Sequence, residues 1–194
     1  MLSRPIPLER GFSLIEIAVA LVIFGLLVVL GVPAYQTWIA NTQIRNLAET
    51  VQNGMRLAQA EAAKRNTQVD FVLTNDNPAN NANPTANTTG TNWVVRVSNP
   101  QTFIQGKPRA EGSRNATLAC VGTCPAGFDG TVAFSGLGRT TLGGELDLKI
   151  CNPVGGDRPM GIVVSTGGSV RMCNPKFAAT DPQGCPAAIT TTCP

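Results

Sequence analysis

The sequence predicts an α+β fold: one long, kinked N-terminal helix, membrane-spanning in its first half, packed on a small β-rich head. Three observations carry this. From Phe12 to Val32 every residue except Ser13 and Glu16 is apolar or Gly. From Ile44 onward apolar positions recur at helical spacing as far as Ala62. Beyond Thr67 that periodicity stops, and short alternating runs separated by Gly and Pro replace it.

The apolar run, residues 12–33, is about twenty residues long, enough to cross a hydrocarbon core of roughly 30 Å. It is hydrophobic all round, longer than the core of a secretory signal, and no A-x-A-like cleavage site follows it. Arg4 and Arg10 precede it, so the short leader stays cytoplasmic and the rest is exported. Tyr35 and Trp38 suit the headgroup level. Glu16 is the anomaly. A charge inside a span costs about 2.5–3.5 kcal/mol at the bilayer centre on insertion scales, so the residue needs a partner or a purpose.

Residues 34–66 continue the helix in amphipathic form. Ile39, Ile44, Leu47, Val51, Met55, Ala58 and Ala62 form the apolar stripe that docks the head, and Arg45, Glu49, Arg56, Glu61, Lys64 and Arg65 lie mostly off it. Pro33 removes one helical hydrogen bond, so a kink is predicted there.

The head, residues 67–194, is predicted to carry strands over 68–74, 93–98, 102–105, 131–135, 145–151, 161–166 and 169–173. Residues 75–92 are rich in Asn, Thr and Pro and read as a solvated loop between two strands. All six cysteines lie in the head, as expected of disulfides in an exported domain. Six cysteines allow fifteen pairings, and the sequence does not decide among them. The local expectation is Cys120–Cys124, Cys151–Cys173 across neighbouring strands, and Cys185–Cys193 pinning the tail. The chain has no His, which removes the commonest general base and the usual nucleophile-activating pairs. Catalytic residues, cofactors and metal ions are therefore not expected.

Arg10-Gly11-Phe12-Ser13-Leu14-Ile15-Glu16, after a brief basic leader and before an apolar run, resembles the class III prepilin signal of type IV pilins and type II secretion pseudopilins. The resemblance implies that a prepilin peptidase removes residues 1–11 by cutting between Gly11 and Phe12. It then methylates the new amino terminus of Phe12. It also implies that Glu16 faces the ammonium of a mature N-terminus on a neighbouring subunit, and that the helix packs on a small antiparallel sheet as in pilins.

Met55 to Ala62, Lys64-Arg65-Asn66, Val69 to Val72 and the run Ile162 to Cys173 are similar to the GspH/FimT branch, which covers pseudopilin H and related minor pilins. This implies a structural subunit that primes or joins a type IV pilus or a pseudopilus. The partners are other subunits and the inner membrane, with the head in the periplasm. Two alternatives accompany it. One is a plain membrane-anchored periplasmic protein. The other is a minor pilin that captures DNA in natural transformation, through Arg139, Lys149, Arg158, Arg171 and Lys176. Against the latter, residues 67–194 hold nine Lys or Arg and eight Asp or Glu, a formal excess of only one.

Overall fold

The computed structural model describes residues 11–193. The chain divides into two compact units, up to Gln36 and from Thr37 onward. One helix, α1 (Leu14–Arg65), contributes to both. Its first part exposes its side chains throughout and is long and apolar enough to cross a membrane.

In the second unit burial on α1 begins at Ala40. It follows Ile44, Leu47, Ala48, Val51, Gln52, Met55, Ala58 and Ala62, the stripe read from the sequence with Ile39 at its half-buried margin. The helix ends where Asn66 turns left-handed, at φ +49°, and Thr67 N–H donates back to Ala62 O at 3.2 Å. Asn tolerates this conformation better than other side chains, so it serves as the stop.

The β-structure divides into two four-stranded antiparallel sheets. The first has the order β3-β2-β1-β5, from β1 (Val69–Thr74), β2 (Asn92–Val97), β3 (Thr102–Lys107) and β5 (Thr131–Phe134). The second has the order β4-β6-β7-β8, from β4 (Thr117–Cys120), β6 (Leu146–Cys151), β7 (Met160–Val164) and β8 (Val170–Cys173). Strand β4 escaped the sequence reading. Its four residues include one buried hydrophobe, Leu118, too little for an alternating signal.

Both sheets turn one face to α1. Phe71, Leu73, Trp93, Val95, Val132 and Phe134 from one, and Leu146, Leu148, Ile150, Ile162 and Val164 from the other, share a single core with the helix. Gly54 lets α1 come close: a Cβ there would stand 2.7 Å from the Phe71 ring. Polar links run along the contact. Asn152 donates to Ala40 O at 3.3 Å, Gln52 to Val170 O at 3.3 Å, and Gln59 to Gly138 O at 2.9 Å.

The opposite faces are also covered. Val72 and Val94 are register partners and fully buried, yet alternate with the core positions. Residues 75–92 lie over this face. Arg96, on the same side as Val94, donates through Nη1 to Ala82 O and Asn83 Oδ1, both at 3.1 Å. Pro78 and Pro84 are buried, and a Cβ on Gly106 would stand 2.5 Å from Pro78 O. The loop is held from within too: Asp76 Oδ2 accepts the Thr85 N–H at 2.7 Å, and Asn77, Asn81 and Asn87 each accept a backbone N–H two residues on. The Asn-rich composition thus builds a series of side-chain-closed turns rather than a loose insertion.

Candidate functional site

The start of α1 is the first candidate site. Gly11 and Phe12 precede the helix in non-helical backbone, and Phe12 is 80% exposed. Among the described residues nothing lies within 4 Å of where a Cβ on Gly11 would stand. Ser13 is the N-cap. Its Oγ accepts the Glu16 N–H at 3.2 Å, and its carbonyl accepts the N–H groups of Glu16 and Ile17 at 3.1 and 3.2 Å. Ser and Glu three apart have capping-box spacing, the signal in the sequence that points to this role for Ser13. Glu16 sits in the first turn, where the positive end of the helix dipole favours a carboxylate. Pro33 lies inside α1. The leader reading, residues 1–10, falls outside the described residues.

The basic residues proposed for DNA are not brought together. Arg139 belongs to the turn beside Gln59, whose amide holds Gly138 O. Arg158 follows Asp157 beside the part of α1 around Asn41, its N–H donating to Asn41 Oδ1 at 3.1 Å. Asn41 and Gln59 are eighteen positions apart on α1, about 27 Å along a helix axis. Lys176 lies near Asp157, which is held below the usual carboxylate range by the Asn41 hydrogen bond first, with Lys176 and Arg158 adding to it. Arg171 is on the far side of β8, where its Nη1 donates to Gly184 O at 3.0 Å. Lys149 is not a surface cation at all. It is 9% exposed, and its Nζ donates to Thr190 Oγ1 at 2.8 Å and to Thr192 O. No single basic face results from these five.

The disulfides correct two of the three expected pairs. Cys120–Cys124 is present, but Cys151 pairs with Cys193 and Cys173 with Cys185. The reason is the strand order. Cys151 ends β6 and Cys173 ends β8, and β7 lies between them. The tail supplies the partner for each instead.

The profile of the type II transport protein GspH family matches residues 47–168. That is more than half of the chain. The chain belongs to the GspH family. The prokaryotic N-terminal methylation motif matches residues 7–32, which takes in Gly11, Ser13 and Glu16. No curated protein matches the chain. Among solved structures it is similar to the type IV minor pilin FimU of Pseudomonas aeruginosa in two crystal forms. The first gives a TM-score of 0.51 at 14% identity, covering 71% of this chain and 92% of FimU. The second gives 0.51 at 13%, covering 70% and 97%. It is also similar to the minor pseudopilin EpsH of the Type 2 Secretion System of Vibrio cholerae, with a TM-score of 0.46 at 10% identity over 70% of this chain and 99% of that one. At such identities the FimU likeness speaks to the fold, which is that of a pilin: a long N-terminal helix against antiparallel β-sheets.

Proposed function

We propose that this GspH-family chain is a minor pilin or pseudopilin, a structural subunit that is processed at Gly11–Phe12 and assembles through Glu16. One observation carries the reading. The methylation motif spans a junction where exposed, non-helical Gly11 and Phe12 lead directly into a Ser13-capped helix with Glu16 in its first turn. Cleavage there would give Phe12 a new ammonium group beside the positive end of the helix dipole, where it is unfavourable. A carboxylate relieves that. Glu16 of an adjacent subunit, in a span otherwise apolar, is the proposed partner, so assembly is coupled to maturation. A buried pair of this kind adds little net stability, but losing one member costs about 3–5 kcal/mol. It therefore selects register.

In this reading the apolar part of α1 first anchors the subunit in the inner membrane, with the head in the periplasm, and then joins the filament core. The family is structural rather than enzymatic. Intact-mass measurement of the purified protein tests the processing step: a chain beginning at methylated Phe12 supports it, and a retained leader refutes it. Glu16→Val tests the assembly step. The variant should be processed and membrane-inserted but missing from sheared filament or pseudopilus fractions; normal incorporation would refute a role for Glu16.

A further inference from the structure

The tail, residues 174–193, crosses the outer face of the second sheet strand by strand. At β8, Cys173 is bonded to Cys185 and Arg171 Nη1 holds Gly184 O at 3.0 Å. Over β7, Ile189 and Cys185 pack with Val163 in a small apolar cluster separate from the main core. At β6, Lys149 Nζ donates to Thr190 and Thr192, and Cys151 is bonded to Cys193. Lys149, Gly161 and Cys173 form one cross-strand row, and this row is the floor under the tail. Gly161 keeps the floor flat. A Cβ there would stand 2.6 Å from Cys173 Sγ, 2.7 Å from Ile189 Cδ1 and 2.8 Å from Cys185 Sγ.

The main core is complete without this segment. None of its residues comes from beyond Met172, and the family match ends at 168. The noncovalent contacts that tie the tail to the head include one four-residue cluster with Val121 beside it, the two Lys149 bonds, the Arg171 bond and the packing of Ala188 against Gly122. Two covalent links, Cys151–Cys193 and Cys173–Cys185, add to these contacts.

We propose that the tail is an oxidation-closed lid on a head that folds without it, and that Lys149 is the group it conceals. Each closure joins two thiols through a new S–S bond and releases two protons and two electrons. The electrons pass to the disulfide of a thiol–disulfide oxidant, which leaves as a dithiol. Before closure, the face carrying Lys149, Val163 and Arg171 is open; after it, Lys149 and Val163 are hidden. The inference rests on the exported-head reading only for where the oxidant is met, and it is testable on the purified chain whatever the chain's role.

The test is acetylation of the full-length protein in detergent by an N-hydroxysuccinimide ester, read lysine by lysine with mass spectrometry. Exposed Lys176 is the internal reference. In the oxidised chain Lys149 should react roughly tenfold or more slowly than Lys176, because reaction needs local opening. In the quadruple variant Cys151→Ser, Cys173→Ser, Cys185→Ser, Cys193→Ser, which keeps Cys120–Cys124, Lys149 should approach the rate of Lys176. Amide exchange in β1 should stay as slow as in the parent. Continued protection of Lys149 in the variant would overturn the proposal, since the lid would then close without oxidation. Loss of β1 protection together with that of Lys149 would also overturn it, since the tail would then be integral to the fold.

Discussion

Arg96 faces Asp70 across β2 and β1, its Nε 3.4 Å from Asp70 Oδ2, while its Nη1 holds the carbonyl of Ala82 in the Asn-rich loop. One guanidinium thus ties a buried carboxylate to the Asn-rich loop. Both side chains are largely out of water, at 13% and 9% exposure. Arg96→Ala leaves Asp70 buried beside only Gln68 and Ser98, and should destabilise the head by about 3–5 kcal/mol. Urea unfolding measures this. Proteolysis within 75–92 should accelerate in the same variant, and a double variant Asp70→Asn, Arg96→Met should recover part of the stability.

Gly161→Ala should cost about 1–3 kcal/mol, the usual penalty for overpacking. The added methyl meets the end of the Ile189 side chain and both sulfurs of the Cys173–Cys185 disulfide, and the bonded sulfurs cannot withdraw independently. In the oxidised protein the thermal midpoint should fall. In a variant lacking both tail disulfides the same substitution should matter much less.

Asp147 gives a pH prediction. It lies in β6 on the face away from the core; its Oδ1 is buried and has no hydrogen-bond partner among the described residues. Burial raises its pKa, Glu145 adds to this, and Arg171 opposes it. A carboxyl with a raised folded-state pKa contributes a stability that is whole below its unfolded pKa. That stability is lost as pH rises through the folded value. Asp147→Asn should therefore raise the urea midpoint at neutral pH, and its advantage should shrink as pH falls below the carboxylate range. Equal midpoint shifts at pH 3.5 and pH 7 would contradict this.

Asp157 acts with the opposite sign. Its pKa is lowered chiefly by the Asn41 hydrogen bond, 2.6 Å long, so its contribution is present above the unfolded pKa and disappears as pH falls through the folded one. Asn41→Ala should remove that acid-side dependence, measured as a flatter stability profile at low pH. It should leave the neutral-to-basic profile unchanged in shape.

Asn66 closes α1 at φ +49°. Asn66→Val should cost about 1–2 kcal/mol, the penalty for a side chain forced left-handed, whereas Asn66→Gly should be near neutral. The contrast between the two in chemical denaturation separates backbone strain from lost contacts.

The long helix α1 was legible because it is written in local code. The apolar run is a continuous block, and the Ile44–Ala62 stripe has a helical period. The head was less legible for reasons of range. Seven strands announced themselves by alternation, but β4 has too few apolar residues to do so. The division into two sheets depends on pairings such as β1 with β5, which skip over intervening strands. Disulfide partners depend on strand order, and Cys151 and Cys173 resemble neighbours until β7 is placed between them. Lys149 looked like every other lysine, since nothing near it in sequence reports that Thr190 lies above it.

Thr74 and Asn92, the two ends of the Asn-rich excursion, are register partners in β1 and β2. The chain leaves the sheet and re-enters it at one point, so the pairing of β1 with β2 does not depend on the length of what lies between, while Pro78, Asn87 and the Arg96 bonds fix how the excursion lies on the sheet. The tail is likewise attached at its edges and absent from the main core. A neighbour approaching the outer faces of the head therefore meets these two appended coverings as well as exposed strand residues such as Ala119 and Arg171. Partner choice on those faces can be rewritten at the exposed positions of residues 75–92 and 174–193, with the buried anchors Pro78, Pro84, Cys185 and Ile189 left in place.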